Sequence, residues 1–118
     1  MFQVDGDTIT LSRGDTGSVD FRATGYTFTE EDRALFTVKS AEGTIIKQNA
    51  YPIDSSGLFT VYFLNAETDY LAPGIYSYDV RYVIGPAYDS EGRIVDGDQV
   101  ITPKTPKQLI LLGTVGQI

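Results

Sequence analysis

Cysteine and histidine are both missing from this 118-residue chain. Without a thiol there is neither a disulfide nor a cysteine nucleophile, and without an imidazole there is no Ser-His-Asp triad and no ordinary zinc site. The lack of a disulfide leaves the compartment open, because bacterial secreted domains often do without one. Basic residues are few and dispersed: 9 lysines and arginines stand against 16 aspartates and glutamates, a net charge of −7. A phosphate backbone or an anionic membrane surface needs a basic patch, so nucleic acid and membrane are not expected partners. The acidity reads as solubility rather than steering of a basic partner. No run approaches transmembrane length, which argues against membrane insertion. The opening Met1 to Asp7 has neither a basic nor an apolar leader region, so no signal peptide is expected. With Met1 as the natural start, the product stays in the cytoplasm unless an assembly carries it out. Internal repeats, low-complexity tracts and linkers are also absent.

What the chain does have is turn chemistry between short apolar runs. Its 12 glycines and 5 prolines are spread along the sequence, a spacing that favours many short strands. The length suits a single domain over residues 1–118. The most informative run is Tyr70 to Ile84. Pro73-Gly74 makes a turn, and then Tyr76, Tyr78, Val80, Tyr82 and Ile84 alternate with Ser77, Asp79 and Arg81, which predicts a half-buried strand. A Gly-x-Tyr turn entering such a strand fits the tyrosine corner of immunoglobulin-like sandwiches, with Tyr76 as the corner and Tyr78 where a cysteine would stand. Equally, both tyrosines can be plain strand formers.

Earlier in the chain, Thr8 to Leu11 and Ser18 to Thr24 alternate on either side of Arg13-Gly14-Asp15-Thr16-Gly17, which suggests a hairpin. Arg13-Gly14-Asp15 is also the tripeptide that integrins read, although glycine and aspartate are simply what turns use. Thr29 to Asp32 fits a helix start, yet the β-branched and aromatic content of Arg33 to Lys39 makes a strand there, leaving room for one helical turn before it. Ser40 to Gly43 is a turn and Thr44 to Gln48 a polar strand pairing back on it, expected at an edge or in a largely exposed position. Tyr51 to Gly57 reads as a loop. Leu58 to Leu64 follows as the strongest apolar run of the middle region, with Phe59, Val61 and Phe63 expected to meet the tyrosine stripe inside the core. Asn65 to Asp69 can form one capped helical turn.

Beyond Ile84, Gly85 to Gly92 reads as a loop or hairpin tip. Arg93 to Asp96, Gln99 to Thr102 and Gln108 to Leu112 offer further strands divided by Gly97, Pro103 and Pro106. Proline at 106 argues against a central ladder position, and Gln108 to Val115 is expected at a second, apolar edge. The whole predicts an all-β fold, an immunoglobulin-like antiparallel β-sandwich of seven to nine strands.

Arg13-Gly14-Asp15-Thr16, then Phe36-Thr37-Val38-Lys39, then Asp69 followed by Leu71-x-Pro73-Gly74-x-Tyr76-x-Tyr78-Asp79-Val80 resembles the small immunoglobulin-like proteins in structural gene cassettes of phages and prophages of Gram-positive bacteria. It is similar also to the N-terminal domain of the phage baseplate upper protein family. The order and spacing of these pieces, over most of the chain, carry the resemblance. It implies a non-enzymatic virion structural part at the tail, baseplate or capsid surface. Such a part works by protein-protein contacts with other virion proteins or with copies of itself, without catalytic, cofactor or metal residues. The segment from Gly85 to Pro106 is longer than the family pattern.

Three other chemistries are open to these residues. A glycosidase pair needs two carboxylates about 5–9 Å apart across a cleft, but the acids here sit in turn contexts, and mid-strand Asp79 lies on the polar face, where an exposed cross-strand pair is expected. Calcium takes six to eight oxygens, and Asp5-Gly6-Asp7, Asp96-Gly97-Asp98 and Asp89-Ser90-Glu91-Gly92 are candidate sources, none with full EF-hand spacing. Tyr26, Tyr51, Tyr70 and Tyr88 are candidates for stacking on carbohydrate, as in a bacterial cell-surface or sugar-binding module. The plainer reading is that they cap the ends of the core.

Overall fold

The computed structural model describes residues 1–115, and for 103–105 the backbone alone. Among these residues the chain forms β1 (Phe2–Asp5), β2 (Thr8–Ser12), β3 (Gly17–Arg22), β4 (Arg33–Lys39), β5 (Ile45–Pro52), β6 (Leu58–Phe63), a one-turn helix α1 (Asn65–Thr68), β7 (Gly74–Tyr88) and β8 (Ile94–Leu112). One sheet runs β1-β2-β8-β7-β4-β5, and a second pairs β3 with β6. The fold is therefore all-β and sandwich-like, six strands facing two.

Alternation dictates the packing. Phe59, Val61 and Phe63 on β6 turn one way, Tyr78, Val80 and Tyr82 on β7 turn to meet them, and all six are almost wholly buried. The rings meet edge to face across the layers: Phe59 against Tyr82 at 5.7 Å and Phe36 against Phe63 at 5.9 Å. Phe21 on β3 completes the contact with Phe36 and Tyr78. Burying such a side chain stabilises by about 1.5–3 kcal/mol, with roughly 0.5–1.5 kcal/mol more per well-placed aromatic pair. This aromatic interior holds the layers together.

Several connections differ from the sequence reading. The strands flanking Arg13 to Thr16 do not form a hairpin. β2 belongs to the large sheet and β3 to the small one, because Ile9 and Leu11 face Val19 across the core rather than sharing a face with it. The sandwich is not wholly antiparallel either. β8, returning antiparallel to β7, lies parallel to β2, with Ile9 opposite Leu109 and Leu11 opposite Leu111. That pairing places the C-terminal strand inside the sheet and moves the edge to β1, whereas β5 is an edge as expected. β5 also runs through Tyr51 to Pro52, where a loop was predicted.

Prolines 103 and 106 are accommodated by register shifts. From Tyr78 to Tyr82 on β7 the partners run from Lys107 to Ile101, so β8 carries two extra residues there. This stretch has β7 alone beside it, because β2 pairs only with the later part of β8, Leu109 to Leu112. A missing N–H is tolerated on an open side or at a bulge.

Gly85 to Gly92 is not all loop. β7 continues to Tyr88, the tip is Asp89 to Arg93, and β8 returns from Ile94. Beyond Val83, the last residue of β7 paired with β4, the two strands have only each other. They form an arm. Fully extended, the 15 residues of β7 would span about 46 Å at ~3.3 Å per residue, but the arm bends back, bringing Ile94, Val95 and Asp96 against Leu35 and Arg81.

Candidate functional site

Two features stand out as surfaces for contact: the arm and an open flank of the small sheet. The arm is fastened at its root by Asp32, which is buried. One carboxylate oxygen accepts from the Thr29 amide at 2.8 Å, closing the Thr-x-x-Asp turn, and the other accepts from the Gly85 amide at 3.0 Å. Gly85 has φ +62°, a conformation that suits glycine. Gly97 lets the arm close on the outer face of the large sheet, since a Cβ there would meet Val83 Cγ1 at 2.6 Å. Val83, buried on that outer face, shares a shallow cleft of about 130 Å³ with Leu35, Arg81, Ile94, Asp96 and Val100. Tyr88, Val95 and Val100 are left exposed. At the tip, the Asp89 carboxylate accepts from the Glu91 and Arg93 amides at 2.9 Å each and pairs with the Arg93 guanidinium. These bonds, the Arg93 amide first, hold its carboxyl below the usual carboxylate range.

The open flank lies between β5 and β6. A cleft of about 410 Å³ is lined by Tyr51, Pro52, Ile53, Asp54, Leu58, Phe59, Thr60 and Tyr62. Asp54 organises its mouth by accepting from the Ser56 hydroxyl and from the Ser56 and Leu58 amides. The Ser56 hydroxyl and then the Leu58 amide lower its pKa. Tyr51 stacks on Phe59 at 6.5 Å.

At the opposite end, α1 seals the sandwich. Lys47 on β5 is buried, with its ammonium 2.6 Å from Glu67, 2.7 Å from Asn49 Oδ1 and over the Phe63 ring. The polarity of this strand suggested exposure. Its charge instead turns inward, because Glu67, twenty residues on, supplies the counter-charge. The same helix pins the Arg13 to Thr16 turn: Thr68 Oγ1 accepts from the Gly14 amide and Asn65 Nδ2 donates to the Gly14 carbonyl, both at 2.8 Å. Arg13 donates to the Thr114 carbonyl, and Asp15 accepts from the Met1 amino group. Both ends of the Arg-Gly-Asp tripeptide are thus engaged within the chain.

The remaining candidates are scattered. Tyr26 packs on Phe28 near the arm end, Tyr51 lines the β5–β6 cleft, Tyr88 lies on the arm beside Glu30, Glu31 and Arg33, and Tyr70 follows α1 at the far end. They form no single platform. Asp79 stands half-buried opposite Thr37. Asp96 accepts from the adjacent Gly97 amide, and the Asp7 carbonyl accepts from the Tyr78 hydroxyl. Among the described residues no three acidic side chains gather as a metal site, and no helix is long and apolar enough to cross a membrane. Burial pushes Tyr78 and Tyr82 up to about 12, the Asp7 charge adding to the effect at Tyr78. The Thr29 to Asp32 turn was marked in the sequence, but nothing in its pattern revealed the hold of Asp32 on Gly85 or the open side of β6. The only signal for the latter is an uncharged run, Leu58 to Leu64, following an Asp54 turn. No protein-family model and no curated protein matches this chain.

Proposed function

We propose that this chain is a non-enzymatic structural domain, immunoglobulin-like in its connections, which acts by assembly in a phage or prophage particle. Its partners are other virion proteins or its own copies. The single observation that carries the reading is the arm. An isolated two-stranded ribbon is marginal in water, and this one, lying over the outer face of the large sheet, leaves Tyr88, Val95 and Val100 exposed, apolar surface suited to burial against a neighbour. The immunoglobulin-like part is supported by the parallel β2/β8 pairing beside a β7-β4-β5 order. A corner bond supports it too: the Tyr76 hydroxyl donates to the Ala72 carbonyl at 2.6 Å, four residues upstream, with buried Tyr78 two residues on. Engagement of acids by turn amides supports the non-enzymatic part.

The test is incorporation into particles. Replacing Pro86 to Asp98 by a tight turn should leave a folded body that no longer co-sediments with the particles, and undiminished incorporation would count against the proposal. Tyr51 in the β5–β6 cleft favours a second reading, a carbohydrate-binding module. That reading requires glycan-array binding that Tyr51→Ala abolishes.

A further inference from the structure

We infer that the free side of β6 is a strand-addition site for an extended segment of another protein, apolar at alternate residues and flanked by basic ones. The inference rests on the assembly reading and names where and how one such contact is made. It begins with backbone direction. The Gly57 carbonyl accepts from the Ala23 amide at 2.9 Å, so the odd-numbered residues of β6 direct their amides and carbonyls toward β3. Even-numbered residues point the other way. There, the Leu58 carbonyl accepts from the Asp54 amide, and Leu64 is closed off by Glu67, whose side chain takes the Leu64 amide and whose own amide takes the Leu64 carbonyl. Thr60 and Tyr62 lie between, and among the described residues no hydrogen bond reaches their main-chain groups. Two amides and two carbonyls are presented at strand spacing, a pattern that an added strand satisfies together.

The other edges carry the charges that discourage such pairing. β1 ends in Asp5, β3 bears Asp20 and Arg22, and β5 turns Lys47 inward. β6, Leu58-Phe-Thr-Val-Tyr-Phe63, has no charge at all. The neighbouring cleft supplies the side-chain pocket, with Tyr51, Ile53 and Phe59 placed to receive alternate residues of an added strand. Its far wall is Tyr51 and Pro52 of β5. A second copy presenting its own β6 would bring its β5 wall against this one, so a lone extended segment is the better occupant. Among the described residues Asp54 is the only charge lining the cleft, and the chain is −7 overall, which selects basic over acidic flanks.

Amide hydrogen exchange by NMR tests this with a synthetic peptide alternating valine and threonine between terminal lysines. In the free protein, Thr60 and Tyr62 should exchange fast while Phe59, Val61 and Phe63 are protected. With peptide, Thr60 and Tyr62 should slow by about tenfold or more. Tyr62→Pro, which deletes an amide on the open side only, should abolish the effect. Tyr62→Ala should retain it. Should the proline variant fail to fold, Tyr51→Ala provides the second test and should weaken binding severalfold. Protected Thr60 and Tyr62 in the free protein, equal binding of a glutamate-flanked peptide, or binding indifferent to Tyr62→Pro would each overturn the inference. Particle incorporation of Tyr62→Pro separates the two readings: incorporation without peptide-induced protection in the wild type leaves assembly standing and removes the strand site.

Discussion

Replacing Tyr82 by phenylalanine should be nearly silent at neutral pH and stabilising in alkali. The ring is almost fully buried, packed against Phe28 at 5.4 Å and Phe59 at 5.7 Å, contacts that phenylalanine keeps. Burial raises its phenol from 10.0 to about 12. Between those values the unfolded chain releases the phenolic proton and the folded chain holds it. Stability that is fully present below pH 10 is therefore lost as the pH climbs toward 12. A two-unit difference at ~1.4 kcal/mol per unit gives a penalty of about 1.4 kcal/mol at pH 11 and a ceiling near ~2.7 kcal/mol. Tyr82→Phe removes that penalty. Urea unfolding at pH 7 and pH 11 should show a variant within about 0.5 kcal/mol of wild type at the first pH and more stable by about 1.4 kcal/mol at the second. Equal differences at both values would refute the reasoning. Tyr78→Phe is the contrast, because its hydroxyl donates to the Asp7 carbonyl and its loss should cost about 1–2 kcal/mol already at pH 7.

Three further outcomes are expected. Glu67→Ala leaves the Lys47 ammonium buried with, among the described residues, Asn49 as its one remaining polar partner, so the urea midpoint should fall by the equivalent of about 3 kcal/mol. Gly57→Ala drives a Cβ into the Ala23 carbonyl oxygen at φ +88° and should destabilise by more than about 2 kcal/mol in thermal melts. Asp54 and Asp89 are held below their ordinary carboxylate value of 3.8, so the stability they contribute is present above that pH and lost as it falls through their folded values. Asp54→Asn with Asp89→Asn should flatten the acid limb of the stability profile, which circular dichroism from about pH 5 to 2 would report.

Much of this fold was legible because side-chain alternation reports which residues face the core. The Phe59 and Tyr82 stripes follow from it, while capping residues at Asn65 to Asp69 marked the α1 turn and the Ser40 to Gly43 turn marked the β4–β5 hairpin. Alternation is silent on which strand lies beside which. Ile9 and Val19 are both inward-facing, and nothing in their spacing reveals that they do so from opposite layers. Long-range charge pairing was equally hidden, so Lys47 read as solvent-exposed. Pro103 and Pro106 read as dividing separate strands and as barring a central position, yet one strand, β8, runs through both and lies between β2 and β7, because a strand can keep its course by bulging along an unpaired side. Of the candidate surface, the polar β5 edge was visible, whereas the bare β6 edge lay inside a run that reads purely as core.

The parallel match of Ile9 to Leu109 joins positions a hundred residues apart in sequence. During synthesis the early strand must wait, its apolar face uncovered, until nearly the last of these residues has left the ribosome. A truncated product lacking Leu109 and Leu111 would lose the middle of its large sheet, so the cell receives this domain complete or scarcely folded at all.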